Sequence, residues 1–132
     1  MSAPLILVVE DNEANQMLVM AVLQREGYDV RVAGSAPEAR AELTRYRPAL
    51  ILMDIQLPGQ DGLSFARELK AGTDTSEIPV VALTAHAMSG DRASALASGC
   101  DGYISKPIDT HTFGAEVGRY LAGRVGGGPR AA

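Results

Sequence analysis

A single cysteine, Cys100, stands in a chain of 132 residues. One thiol cannot close an internal disulfide or build a cysteine-based zinc site, so stability has to come from a packed core. Positive charge is not in excess either: 12 Lys and Arg against 16 Asp and Glu leave a net charge of -4. A general nucleic-acid binder carries a basic surface, so direct binding to DNA or RNA is not expected. No apolar stretch approaches the roughly 18 residues a membrane span needs. The opening Met1-Ser2-Ala3-Pro4 has no basic region and leads into an apolar run of only Leu5–Val9, so no signal peptide is readable. A cytoplasmic protein without membrane insertion is the expectation. No G-x-x-x-x-G-K-[ST] occurs, which excludes a P-loop nucleotide enzyme. No G-x-G-x-x-G follows the first apolar run, which excludes a dinucleotide-binding fold.

What is present is an ordinary globular composition, 46% hydrophobic and 21% charged. The length suits one domain, whose core buries about two thirds of the unfolded chain's surface. We expect that domain to span residues 1–122. Residues 123–132, with Gly126-Gly127-Gly128 and Pro129, read as a flexible C-terminal tail.

Apolar runs alternate with amphipathic segments. Leu5–Val9 reads as a buried strand, and helical spacing over 13–26 ends at Gly27. Asp29–Ala33 is a short, more polar strand. Ser35 and Glu38 form a capping box, and Ala39, Leu43 and Tyr46 line the helix behind it, which ends before Pro48. Ala49–Met53 is a third strand, closed by Asp54. Leu57-Pro58-Gly59 is turn chemistry, and Asp61 caps a helix with Leu63, Phe65, Ala66 and Leu69 on its apolar side. Ile78–Leu83 is a fourth strand, closed by Thr84. Residues 88–98 form a weak Ala/Ser-rich helix ended by Gly99. Gly102–Ser105 is a fifth strand, closed by Lys106-Pro107. Asp109 caps a last helix, with Phe113, Val117, Tyr120 and Leu121 on one face.

Five βα units with continuous apolar runs in strands one, three and four imply a parallel sheet covered on both faces. The polar second strand belongs at an edge. The fold class is α/β, flavodoxin-like, with order 2-1-3-4-5. Polar residues close four of the strands: Glu10 and Asp11, Asp54, Thr84, and Lys106. In such sheets the ligand crevice lies at the carboxyl ends, where the strand order reverses. Three carboxylates meeting there repel one another unless a cation joins them. A hard ion with oxygen ligands, Mg²⁺ or else Mn²⁺, fits that need. Lys106 supplies a point charge and Thr84 a hydroxyl, a set suited to a transferring phosphoryl group. Asp54, between the acidic pair and Thr84/Lys106, is the natural nucleophile.

These residues carry a family resemblance. Val8-Val9-Glu10-Asp11-Asn12, Met53-Asp54-Ile55-Gln56-Leu57-Pro58-Gly59-Gln60-Asp61-Gly62, Leu83-Thr84-Ala85 and Gly102-Tyr103-Ile104-Ser105-Lys106-Pro107 are the matching stretches. In order and spacing they resemble the response-regulator receiver domain of bacterial two-component systems, over roughly residues 4–122; the assigned strand order rests partly on this likeness. The resemblance implies that Asp54 accepts a phosphoryl group from a histidine kinase or a histidine phosphotransfer protein. It implies that Asp11 binds Mg²⁺ directly, Glu10 acts mainly through a metal-bound water, and the Gln56 backbone carbonyl completes the ligands. Thr84 and Lys106 would hold phosphoryl oxygens, Tyr103 would be an aromatic switch, and the Lys106–Pro107 bond would be cis. Many receivers have two aspartates where this chain has Glu10-Asp11. Glu occurs there in single-domain cell-cycle regulators and hybrid-kinase receivers, so metal binding is expected to survive. Gln56 and His86 occupy positions that often tune aspartyl-phosphate lifetime.

Plainer readings stand beside these. Tyr103 could simply pack on the last helix, His86 could be an ordinary loop histidine, and Lys106 could be a solvated loop lysine. An aspartyl-nucleophile phosphohydrolase wants a second aspartate where Gln56 stands. The leading functional reading is a stand-alone, phosphorylation-controlled binding module that catalyses only its own phosphorylation and dephosphorylation. It would signal to a downstream protein target through the face of the fourth helix, fifth strand and fifth helix. The alternatives are a phosphate sink or phosphorelay intermediate with no protein target, and a receiver from a hybrid histidine kinase.

Overall fold

The computed structural model describes residues 3–57, 59–84 and 92–127. The chain alternates β1 (Leu5–Val9), α1 (Glu13–Arg25), β2 (Asp29–Ala33), α2 (Ala36–Leu43), β3 (Leu50–Asp54), α3 (Gly62–Ala71), β4 (Val80–Thr84), α4 (Arg92–Ala97), β5 (Gly102–Ser105) and α5 (Phe113–Gly127). All strand pairs are parallel, in the order β2-β1-β3-β4-β5. Every residue of β3 and β4 is buried, because helices cover both faces of these central strands. The polar β2 lies at an edge.

Side chains alternate across each strand, and the two faces bury separate clusters. Leu7, Val9, Ile51, Met53, Val80 and Ala82 pack against Ala39 of α2, Phe65 and Leu69 of α3 and Ala95 of α4. Ile6, Val8, Leu52, Val81, Leu83 and Ile104 point the other way, onto Val19 and Leu23 of α1 and Phe113 and Val117 of α5. Each large aliphatic or aromatic side chain so buried contributes about 1.5–3 kcal/mol, and together they fix the register of the sheet.

Local chemistry sets most helix ends. The Asn12 side chain caps α1 by accepting from the Asn15 N–H at 2.9 Å. At the other end Gly27 has φ +94°. The Gly27 N–H donates to Gln24 and the Tyr28 N–H to Leu23, the paired bonds that close a helix through a left-handed glycine. Ser35 and Asp61 cap α2 and α3 as the sequence indicates.

Other boundaries differ from the sequence reading. α2 ends at Leu43, where Thr44 and Arg45 donate three residues back, so Tyr46 lies beyond the helix and its ring packs under Arg31 at 4.2 Å. β3 starts at Leu50 and includes Asp54; β4 starts at Val80, because Pro79 has no N–H for the ladder and offers only its carbonyl, to Ile51 at 2.9 Å. The expected helix over 88–98 is seen as Arg92–Ala97, its residues 88–91 lying outside the described ones. α5 is assigned from Phe113 and continues through Gly127, so residues 123–127 of the expected tail are helical. Asp109 opens the turn before it, accepting the His111 N–H at 2.8 Å on its carboxylate and the Phe113 N–H on its carbonyl.

Candidate functional site

Register brings the strand-end residues to one edge. Val9 stands opposite Met53, Asp54 opposite Leu83, and Thr84 opposite Ser105. Glu10 and Asp11, Asp54, Thr84 and Lys106 therefore all face the carboxyl end of the sheet. Glu10, Asp54 and Thr84 are buried, while Asp11 is exposed. One carboxylate oxygen from each of Glu10, Asp11 and Asp54 lies within 4.8 Å of the others.

Lys106 reaches into this cluster. Its Nζ donates to Asp54 Oδ2 at 2.7 Å and sits 3.1 Å from Glu10 Oε1. The other Asp54 oxygen, Oδ1, accepts the Gln56 N–H at 2.8 Å. Burial alone would pull the Lys106 ammonium toward neutrality, yet the hydrogen bonds and charges of Asp54 and Glu10 outweigh it and hold its pKa above the ordinary value. Burial pushes the Glu10 carboxyl up; the Asn12 N–H and Lys106 oppose the rise, and the Asp54 charge adds to it.

Glu10 is held from three sides. Its Oε2 accepts the Asn12 N–H at 3.1 Å, and its backbone carbonyl accepts from Gln16 Nε2 at 2.5 Å. Its Oε1 is buried and makes no well-directed hydrogen bond; it faces the Lys106 ammonium at 3.1 Å as an ion pair. A buried carboxylate oxygen lacking a directed partner, with two further carboxylates within reach, is a donor set that a hard divalent cation satisfies. The residues fit Mg²⁺ on this ground.

Sequence reasoning located Asp54, Glu10, Asp11, Thr84 and Lys106 at this edge. It missed that Lys106 pairs with Glu10 as well as Asp54, and that Asn12 and Gln16 fix Glu10. The polar Gln16, facing the strand end from the first turn of α1, was the available signal. It also missed Gly62. A Cβ there would lie 2.3 Å from the Asp54 carbonyl oxygen and 2.6 Å from Ile55 Cα. Only glycine lets α3 begin against the backbone of Asp54. Thr84 ends β4 and its carbonyl accepts the Lys106 N–H at 2.8 Å. Tyr103 is half-buried against the cluster on the α3 side, and its carbonyl accepts from Tyr120 Oη at 3.3 Å. The Lys106–Pro107 peptide is cis. Pro58 and His86 lie outside the described residues.

Comparison with known proteins agrees with this geometry. The family model described as the response regulator receiver domain matches residues 6–117. A polar-differentiation response regulator, DivK, of Brucella anthropi is 40% identical over 116 residues, covering 88% of this chain and 94% of that protein. Among solved structures, the receiver domain of a sensor histidine kinase from Pseudomonas aeruginosa is 38% identical, with a TM-score of 0.81 over 95% of this chain and 99% of that one. It is described with a magnesium ion coordinated in its active-site cleft. The signal receiver domain of a histidine kinase from Syntrophus aciditrophicus is 33% identical, with a TM-score of 0.84 and 92% of each chain covered. Fold, strand-end cluster and relatives converge, and the chain belongs to the response regulator receiver domain family.

Proposed function

We propose that Asp54 accepts a phosphoryl group from a phosphohistidine donor, a histidine kinase or histidine phosphotransfer protein, and that the chain thereby switches its affinity for a downstream protein target. The observation that carries this reading is the Lys106 ammonium 2.7 Å from Asp54 Oδ2, within a cluster of three carboxylates. Glu10, Asp11, Asp54 and the Gln56 carbonyl would hold Mg²⁺; the Pseudomonas aeruginosa receiver relative has a magnesium ion coordinated in its active-site cleft. The ion supplies charge neutralisation for the incoming phosphoryl group.

An oxygen of the Asp54 carboxylate attacks phosphorus. The P–N bond to the donor imidazole breaks, and its electron pair returns to the ring nitrogen, leaving an acyl phosphate on Asp54. Lys106 follows the developing charge from the carboxylate to a phosphoryl oxygen, and the Thr84 hydroxyl donates to another. Water attack on phosphorus breaks the P–O bond to Asp54, releases inorganic phosphate and restores the carboxylate; Gln56 and His86 are the residues we assign to tuning its rate. The catalysis is confined to the chain's own phosphorylation and dephosphorylation. Drawing Thr84 toward the phosphate makes room that Tyr103 fills, which changes the face of α4, β5 and α5 that the target reads. The domain that closes with α5 carries this cycle. The cytoplasm is the compartment where such donors act.

The test is mass spectrometry after incubation with Mg²⁺ and a small acyl phosphate. One phosphoryl group on Asp54 is expected. Stoichiometric modification of Asp54→Asn would overturn the reading.

A further inference from the structure

Residues 55–61 link Asp54 to α3 and carry the Gln56 carbonyl. The two ends of this loop are joined by the Gly62 N–H, which donates to the Ile55 carbonyl at 3.0 Å. A second tie comes from Gln60. Its Nε2 donates to Ser64 Oγ at 3.2 Å and to Glu68 Oε1 at 3.3 Å. Its Oε1 accepts from Arg40 Nη2. Both ends of the amide are thus engaged.

The partners of Gln60 are themselves fixed. Arg40 of α2 grips Glu68 of α3 as a two-pronged fork, Nε to Oε2 at 2.5 Å and Nη2 to Oε1 at 2.6 Å. Two parallel bonds define direction as well as distance. The guanidinium lies 5.2 Å from the ring centre of Phe65, which is fully buried. Hydrogen bonding to Arg40 holds the Glu68 carboxyl below its ordinary range, so the pair stays charged. The fork is 42% and 43% exposed on its two sides, so it adds little to global stability. Its geometry bears on the loop instead.

We propose that Gln60 is a positioning residue: with the Arg40–Glu68 fork it sets the placement of loop 55–61, and hence of the Gln56 carbonyl, for metal binding. The inference rests on the reading that this edge of the sheet binds Mg²⁺. Mg²⁺ demands near-ideal octahedral geometry at short oxygen distances, so a loosened loop costs affinity before it costs fold. The surface between α2 and α3, away from the acidic cluster, then tunes the site.

The experiment is a Mg²⁺ titration followed by the amide resonances of Asp11, Asp54 and Gln56, beside thermal melts of the metal-free chain. It uses the full chain and Gln60→Ala, Gln60→Met and Arg40→Ala. We expect the Mg²⁺ dissociation constant to rise threefold or more in all three, with metal-free melting close to wild type. Gln60→Met, similar in length but without the hydrogen bonds, should behave as Gln60→Ala. Unchanged affinity in the Gln60 variants, while the wild type binds, overturns this inference and leaves the proposed function standing. A wild type with no Mg²⁺ response at these amides overturns both.

Discussion

Lys106 Nζ is 2.7 Å from Asp54 Oδ2, and the same ammonium lies 3.1 Å from the buried Glu10. One cation therefore offsets two buried carboxylates. Lys106→Met leaves both without a counterion, which should cost the metal-free chain about 3 kcal/mol. A bound Mg²⁺ replaces the lost charge, so added Mg²⁺ should raise the melting temperature of Lys106→Met more than that of wild type. Melts with and without Mg²⁺ check this; equal increments would mean that the ammonium and the ion do not share a site.

Glu10 and Asp11 are neighbours in sequence but differ in burial, and their variants should differ accordingly. Folding raises the Glu10 pKa above the ordinary 4.5, chiefly through burial. The stability linked to that shift is present below the ordinary value and is lost as pH rises through the raised one. At neutral pH an ionised Glu10 is then a net cost to the metal-free fold. Glu10→Gln should stabilise the metal-free chain at pH 7, lose that advantage near pH 4, and bind Mg²⁺ more weakly. Asp11→Ala, at an exposed position, should change metal-free stability by no more than about 0.5 kcal/mol yet weaken Mg²⁺ binding further than Glu10→Ala. Denaturant unfolding across pH, paired with Mg²⁺ titration, measures each arm.

Cys100 gives a prediction independent of the site. Burial, with the Asp101 charge adding and Lys70 opposing, pushes its thiol from 9.0 to about 11. Stability linked to the protonated thiol is present below pH 9.0 and lost as pH rises through about 11. A thiol reagent at pH 8 should modify the native chain far more slowly than the urea-unfolded chain, since the thiolate is the nucleophile. Comparable rates in the two states would contradict the burial seen here.

Coupling from Asp54 to the far face should run through Thr84. Thr84→Ala should still take a phosphoryl group on Asp54. Amide exchange between Thr84 and Lys106, with and without beryllium fluoride as acyl-phosphate mimic, should change in wild type and not in the variant. No change in wild type would favour a phosphate sink or relay intermediate. Equal changes in both forms would remove Thr84 from the coupling.

Much of this molecule is written locally in its sequence. The runs of β1, β3 and β4 announce buried parallel strands because no polar residue interrupts them. Ser35, Asp61 and Gly27 mark helix ends through chemistry that needs only their near neighbours. The five strand-end residues could be picked out because the crossover rule sends every strand's carboxyl end to one edge. Where α2 stops was not legible: apolar spacing continues to Tyr46, but that residue lies past the helix and its ring goes to Arg31 on β2, 15 residues back in the chain.

The rest was decided only when strands came into register. Nothing in Glu10-Asp11 says which carboxylate is buried; pairing of β1 between β2 and β3 turns Glu10 inward, onto Lys106, and leaves Asp11 at the surface. Gln60, Arg40 and Glu68 look like ordinary surface polar residues until α2 and α3 lie side by side on one face of the sheet. The sequence by itself determined the elements, their order and the types of side chain at the sheet's edge, because propensity, capping and periodicity act over a few residues. Tertiary structure decided which charges meet, because burial and pairing depend on groups far apart along the chain, brought together only by closing the sheet.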